Sequence, residues 1–320
     1  MQTTYFDHYT HGWIMKRLMV VMVVLSAHTI TGHNQIFDSP QKPLSLGNFA
    51  LPTALMPSPL FSVGQNIVDK GDVVTYISPT VLRGKNDKKF FYNAFYTLLG
   101  ITNDLSVFIL FPVPVINQEA GIRTSGLGDI IVQGEYSFYN KTDYHSSNQA
   151  TFIATMYLPS GVLDPVETQE GDDPSLFTGF GATSFFFGAT WSRTTYDWYS
   201  FMSGGGLITR SNAGNKIGNA AVFQAGIGKN LRYYDDKILV GMIEFDGVNF
   251  KRDRFFNAKN QNSGGTTMYI GPSLYLATQN TIFQMGFQIP FYQKLNGSQP
   301  KNSFLVSVSF AWLMRHKSTE

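Results

Sequence analysis

The chain has 320 residues, of which 43% are hydrophobic, 15% aromatic and 14% charged, and its formal net charge is +2. Charged residues make up about a quarter of a typical soluble domain. This composition therefore favours an all-β protein with a large apolar exterior, and the small net charge gives no electrostatic reason to bind nucleic acid. The absence of cysteine excludes disulfide bonds, thiolate nucleophiles, cysteine-ligated zinc and a lipoprotein anchor.

The first predicted element is a secretory signal region, residues 1–32. Met15, Lys16 and Arg17 precede a hydrophobic stretch at residues 18–27, which is the order of a basic n-region and an h-region. The stretch is shorter than the roughly 20 apolar residues of a spanning helix. We interpret Met15 as the true start, and a buried helix end is the alternative.

Residues 33–71 form the next predicted element. They are rich in proline and show no sustained period. This pattern predicts an extended arm, either solvated in the periplasm or tucked into the body of the protein.

Twelve apolar runs, separated by polar turns, occupy residues 72–315. They cover residues 73–82, 90–99, 105–115, 129–139, 149–158, 180–191, 198–208, 219–231, 238–249, 266–277, 281–291 and 303–313. A tilted strand needs about nine to eleven residues to cross a bilayer, whereas soluble strands have about five or six. The runs predict an all-β fold, a transmembrane antiparallel up-and-down barrel of about 12 strands.

The connections between the runs alternate in length along the chain, long and then short. Outer-membrane barrels with both termini in the periplasm have this layout, and a soluble sandwich has no reason to adopt it. We therefore expect a bacterial outer-membrane protein, with membrane lipid and the barrel assembly machinery as partners and no cofactor.

The period of two within the runs predicts which side chains face lipid and which face the lumen. In residues 281–291 the expected outward set is Phe283, Met285, Phe287, Ile289 and Phe291. The lumen-lining candidates over all runs are Asp129, Gln133, Glu135, Glu244, Asp246, Gln284 and Gln288.

Three of these candidates, Glu135, Glu244 and Asp246, are acids on predicted strands. As a ring of charge they would give the pore a weak cation preference. The alternative is that they pair with basic side chains predicted to face inward. Those side chains are Lys229, Arg83 and Arg210.

Asp129 follows a glycine-rich turn at the start of a run. It either orients a solute at the mouth of the lumen or caps loop amides, and the turn chemistry favours the cap.

The longest predicted connection, residues 160–179, is acidic. Its carboxylates are Asp164, Glu167, Glu170, Asp172 and Asp173. Such a loop can fold into the mouth as a constriction, remain solvated, or hold calcium through its oxygen atoms. Its spacing matches no EF-hand, so we expect no metal site.

Three stretches carry a resemblance to a known family: "YTLLGITNDLSVFILFPV" at residues 96–113, "SGLGDIIVQGEYSFY" at 125–139 and "ATMYLPSGV" at 154–162. They resemble the outer-membrane barrel proteins grouped under the MetA pathway of phenol degradation, often called transporters. The Gly-Leu-Gly-Asp of residues 126–129 is the most specific part, and Ser160 departs from the common pattern. The resemblance implies a barrel of this strand number and passage of small aromatic or other apolar molecules.

Hydrolysis is the enzymatic alternative, because some barrels are lipases or proteases, and it requires a base that is usually histidine. The six histidines are His8, His11, His28, His33, His145 and His316. All of them lie near the signal region, in a predicted periplasmic turn or in the C-terminal tail, so we expect no enzyme.

Twelve strands enclose an interior between the filled core of eight and the open channel of sixteen. We therefore expect a narrow, mostly uncharged pore for passive passage of small solutes. The arm at residues 33–71 is a candidate gate for this pore. A structural or adhesive barrel that presents long external loops is the alternative.

Overall fold

The computed structural model describes residues 45–64, 66–119, 122–161 and 177–315. The predicted signal region with Met15 lies outside these residues, as do residues 33–44 of the predicted arm. The signal region and the bounds of the arm stay predictions.

β-strands are the main secondary structure of the described residues. In chain order the strands are β1 (Val73–Gly84), β2 (Lys89–Gly100), β3 (Leu105–Glu119), β4 (Ile122–Gly126), β5 (Ile130–Thr142), β6 (Ser146–Leu158), β7 (Ser184–Thr195), β8 (Trp198–Ile208), β9 (Ala220–Asn230), β10 (Ile238–Phe250), β11 (Arg254–Phe255), β12 (Ala258–Lys259), β13 (Gly265–Ala277), β14 (Thr281–Leu295) and β15 (Asn302–Met314). Two short 3₁₀ helices, Gly47–Phe49 and Thr53–Leu55, precede them. Within the described residues, no helix has the length and apolar character needed to cross a bilayer.

Twelve of these strands form one closed antiparallel barrel in which neighbours in sequence are neighbours in the sheet. The first and last strands pair, with Val73 opposite Met314, and β2 pairs with β3. The predicted up-and-down barrel is therefore confirmed. The short β4 pairs antiparallel with the end of β3, and β11 and β12 make a separate hairpin.

The two ends of the barrel differ in the length of their connections. We call the end with the described residues 85–88, 127–129, 159–161, 177–183, 209–219, 251–264 and 296–301 the loop end, and the end with residues 101–104, 143–145, 196–197, 231–237 and 278–280 the turn end. Val73 and Met314 lie at the turn end, so both ends of the barrel chain are on that side.

The strand faces follow the expected period of two. On β14 the five predicted outward side chains are between 37% and 53% exposed, while Gln284 and Gln288 on the other face are buried. On β15, Phe310 and Trp312 are exposed, and Ser307 and Ser309 are buried. The barrel therefore has an apolar outer surface of the kind that faces hydrocarbon.

Residues 45–64 and 66–71 enter and leave the barrel interior, and we call them the plug; residues 45–46 and 69–71 at its two ends are exposed. Pro52, Pro57 and Pro59 lack a backbone N–H and fix φ, so this stretch forms no strand and only short 3₁₀ turns. It starts and finishes at the turn end, where the Asn48 N–H donates to the Tyr196 carbonyl (3.0 Å) and the Gly71 N–H donates to the Gly100 carbonyl (2.9 Å).

Apolar side chains of the plug share a buried core with inward side chains of the wall. Leu51, Ala54, Leu55 and Val68 belong to the plug. The wall contributes Val74, Tyr76, Leu98, Tyr199, Phe201, Ile238, Val240, Met242, Tyr275, Ala277, Ile282, Ala311 and Leu313. Burying such side chains stabilises a fold by roughly 1.5–3 kcal/mol each, so this contact favours the plugged arrangement.

Candidate functional site in the barrel lumen

Glu244, on the inward face of β10, holds the middle of the plug. Its carboxylate accepts the backbone N–H groups of Leu60 and Phe61, each at 3.0 Å, and the hydroxyl of Ser273 also donates to it. The side chain is fully buried. A buried carboxylate is costly unless it is hydrogen-bonded, and here the plug supplies two of the donors.

Asp246 lies two residues further along β10 and contacts the next plug residue. Its carboxylate accepts the Ser62 hydroxyl at 2.8 Å and the amide of Gln224 at 2.6 Å. The Gln224 carbonyl oxygen in turn accepts the backbone N–H of Val63 at 2.8 Å. Gln288 donates to the other oxygen of Asp246.

Glu135, on the inward face of β5, holds the returning part of the plug. It accepts both the backbone N–H (2.9 Å) and the side-chain amide (2.8 Å) of Asn66. Gln133 also donates to it at 2.7 Å. The three inward acids therefore bind the plug from two sides of the barrel.

The partners of these acids are amide and hydroxyl groups, and not the basic side chains that the sequence suggested. Lys229 is exposed on the outer face of β9, with its Nζ 5.5 Å from the centre of the Trp198 ring, because the alternation on β9 places Gly228 and Asn230 inward. The described ion pairs join other residues, Lys88 with Glu119 and Lys89 with Asp87. The alternative in which an inward Lys229 pairs with the acids is therefore wrong.

Further wall side chains bind backbone groups of the plug. Gln284 donates to the Ser58 carbonyl (2.9 Å), and the Tyr275 hydroxyl donates to the Leu55 carbonyl (2.9 Å). The Ser106 hydroxyl accepts the Val68 N–H at 3.0 Å. The sequence reasoning missed Ser106, Gln224, Ser273 and Tyr275, although extending the period of two along their strands places each of them inward.

Gly286 lets the plug approach the wall closely. A Cβ atom at this position would lie 2.5 Å from the Phe61 ring and 3.0 Å from the Leu60 side chain. Gly286 lies between Gln284 and Gln288 on the inward face of β14, so any larger side chain there would collide with the plug.

A cavity of about 440 Å³ remains between the plug and the wall. Strands β5 to β8 line one side mainly with polar side chains, Asn140, Thr142, Ser147, Gln149, Ser192, Thr194 and Tyr199. The plug lines the other side mainly with apolar side chains, Phe49, Leu51, Pro52, Thr53, Met56, Pro57, Ile67 and Asp69. The volume lies within the range of pockets for small molecules, about 300–1,000 Å³.

A second apolar cluster lies in the lumen towards the loop end. Its buried members are Ile153, Phe186, Leu207 and Ala220, and Val63 of the plug packs against them with Tyr157, Phe180, Val222, Val248 and Phe250. The lumen therefore has polar parts, where it binds plug amides and on the cavity wall of β5 to β8, and an apolar part around Val63.

Asp129 lies in the loop before β5 and closes the base of the longest loop. Its carboxylate accepts the backbone N–H groups of Gly161 (3.0 Å) and Phe180 (2.6 Å). A Cβ on Gly179 would lie 2.2 Å from Asp129 Oδ1, so glycine is needed there. Burial raises the pKa of Asp129, against the lowering effect of the two N–H donors. These contacts are those of a cap on loop amides.

The predicted constriction residues lie outside the described residues; they are Asp164, Glu167, Glu170, Asp172 and Asp173. Among the residues that are described, no group of three or more His, Cys, Asp and Glu side chains is arranged to hold a metal ion. The role of the lumen-lining candidates in solute passage stays a prediction.

The fold is similar to that of solved outer-membrane channels. An outer membrane channel from Pseudomonas putida F1 superposes with a TM-score of 0.59 at 12% sequence identity, covering 77% of this chain and 97% of that chain. The NanC porin overlaps less, with a TM-score of 0.43 at 10% identity, covering 74% of this chain and 98% of that one.

No protein-family profile matches the sequence, and no curated protein matches it. The likeness to the Pseudomonas putida channel therefore establishes the barrel fold and leaves the function to be argued from the lumen.

Proposed function

We propose that this chain is a bacterial outer-membrane channel for passive passage of small, uncharged and largely apolar solutes, and that the plug keeps its lumen closed until it moves. The observation that carries the proposal is the plug itself. A twelve-stranded barrel has an interior wider than that of the filled eight-stranded barrels, and this chain occupies it with a segment held by hydrogen bonds to inward side chains.

The orientation follows from the loop and turn ends. Outer-membrane barrels have short periplasmic turns and longer external loops, so the turn end, where the plug begins and finishes, faces the periplasm in this proposal. The exposed aromatic and aliphatic side chains of β14 and β15 contact lipid. The barrel assembly machinery is the expected partner for insertion, and nucleic acid is not a partner.

The solute class is supported by the lining of the lumen and by the resemblance in sequence. Apolar side chains line the cavity on the plug side and form the cluster around Val63. Membership of the MetA-pathway group, suggested by residues 96–162, is part of this proposal, and it points to small aromatic or other apolar molecules.

Catalysis is not part of the proposal. Within the described residues, His145 is the histidine present, and it lies in the turn between β5 and β6. A structural barrel is the second candidate, because the plug shares a buried core with the wall and is held by hydrogen bonds to it.

Uptake into proteoliposomes separates these two candidates. We expect vesicles that contain the full chain to admit small uncharged solutes faster than protein-free vesicles, with a sharp upper size limit set by a narrow lumen. A chain that folds into the vesicles, as shown by heat-modifiable migration on a gel, yet admits no solute of any size would favour the structural barrel.

A further inference from the structure

The cavity between the plug and strands β5 to β8 has two chemically different sides. Side chains that hydrogen-bond without charge, including Thr142, Gln149 and Thr194, come from the wall. Leu51, Met56 and other apolar groups come from the plug. A ligand that satisfies both sides needs one apolar face and a polar edge.

Charge narrows the ligand class. Among the described residues that line the cavity there is no Lys, Arg or His, and Asp69 supplies the only carboxylate. That carboxylate already accepts a hydrogen bond from the Thr53 hydroxyl. An anion would meet no positive partner among these lining residues, and a cation would meet a single carboxylate that Thr53 already binds.

Thr194 is the wall residue best placed to test the polar edge. It is buried, on the inward face of β7, and lines the cavity. Its neighbours on that face, Ser192 and Thr190, are also hydroxylated. A hydroxyl or carbonyl on a ligand would therefore meet hydroxyl groups on this strand and the Gln149 amide on β6.

We propose that this cavity is a binding site for an uncharged amphipathic molecule of about one or two fused rings, with its apolar face on the plug and its hydroxyl or carbonyl group on β6 and β7. The inference rests on the proposed channel function and deepens it, since it names the class of solute that stops beside the plug. A bound molecule would contact the plug and the wall at once, so it is also placed to affect how the plug sits.

Binding of four matched probes to the purified full chain tests this site. Equilibrium dialysis in one detergent would compare naphthol, naphthalene, naphthoate and naphthylmethylamine. Thr194→Trp fills the cavity, and Ser200→Trp is its matched control because Ser200 lies on the outer face of the adjacent β8. Probe that dissolves in the detergent micelles is the same for both chains, so subtracting the probe bound by Thr194→Trp from that bound by the natural chain removes this contribution.

We expect naphthol to bind about fivefold more tightly than naphthalene, the ratio that corresponds to one net hydrogen bond, and both charged probes to bind more weakly than either. Thr194→Trp should weaken naphthol binding by about tenfold or more, and Ser200→Trp should not. Equal binding of naphthoate and naphthol, or unchanged binding in a folded Thr194→Trp chain, would overturn the proposal. Solute uptake without this binding would contradict the binding site but not the channel function. Binding without solute uptake would contradict the channel function but not the binding site.

Discussion

At the scale of single residues, Glu244 shows how the lumen controls the plug. One carboxylate accepts two successive backbone N–H groups, from Leu60 and Phe61, so the plug backbone is anchored at a point where it has no secondary structure of its own. Hydrogen bonds to charged groups contribute about 1.5–3 kcal/mol. The hydrogen-bonding capacity of these acids is therefore used by the plug and is not free to bind an ion.

Replacing Glu244 by glutamine should loosen the plug. Glutamine keeps one acceptor and turns a donor towards the second N–H, so one of the two anchoring bonds is lost. A cysteine introduced as Ser58→Cys in this cysteine-free chain reports the change through its rate of reaction with a thiol reagent. We expect Glu244→Gln to raise that rate about tenfold, the factor that corresponds to about 1.4 kcal/mol.

The matched control is Asp236→Asn, an exposed acid in the turn between β9 and β10. It should leave the labelling rate of Ser58→Cys unchanged. Equal rates for Glu244→Gln and the control would mean that the carboxylate does not hold the plug.

Asp129 gives a prediction for pH. Because burial raises its pKa in the folded protein, the folded state binds the proton more tightly than the unfolded state does. Its contribution to stability is therefore fully present below the ordinary pKa of 3.8 and is lost as the pH rises through the raised value. The free energy of unfolding of the natural chain minus that of Asp129→Asn, measured with denaturant in micelles, should fall as the pH rises through the raised pKa of Asp129. A difference that grows with pH would contradict this assignment.

At the scale of elements, the contact between the plug and β14 depends on Gly286. Gly286→Val would push a side chain into the space of Phe61 and Leu60, while the strand itself tolerates valine well. We expect this change to displace the plug and to increase the frequency of ion-conducting openings in planar bilayers.

Gly134→Val on β5 is the control for that substitution, because a Cβ at Gly134 would meet no atom within 4 Å. Both variants should form barrels of similar stability. If both leave the openings unchanged, the plug does not close the lumen near β14.

The elements also show how far the sequence could predict the structure. The period of two placed Phe283 and Gln288 on opposite faces of β14 because the pleat leaves no other choice. β7 begins at Ser184 rather than at residue 180, because the Phe180 N–H is bound by Asp129 and stays in the loop. The glycines around residue 180, Gly179 and Gly181, indicate a turn, but they do not identify Asp129 as the partner.

The plug was the least predictable element. Its prolines indicated an extended arm, but its partners lie far along the chain, as Glu244 is 184 residues from Leu60. Neither hydrophobic period nor turn chemistry reports contacts of that kind. The role of Glu244 as a plug ligand, instead of one member of a charged ring, could be found only when both segments were placed together.

At the scale of the whole molecule, the apolar outer surface predicts that the free-energy cost of a charged substitution depends strongly on its depth in the membrane. Phe287 lies near the middle of β14 on the outer face, and Trp198 is the first residue of β8 at the turn end. Phe287→Arg should lower the free energy of unfolding in lipid vesicles by about 2–4 kcal/mol, and Trp198→Arg by about 0–1 kcal/mol. Equal costs at both depths would contradict a membrane-spanning barrel.

The central claim is that the lumen is a passage closed by the plug, and a reversible tether tests it most directly. Gln284 donates to the Ser58 carbonyl at 2.9 Å, so Ser58→Cys and Gln284→Cys can be joined by a short bifunctional methanethiosulfonate, with each single variant as a control. In planar bilayers we expect the tethered chain to be closed and a reductant to restore the openings seen before tethering. Full conductance in the tethered chain would show that the plug does not close the lumen, and no conductance before or after reduction would show that the lumen is not a passage.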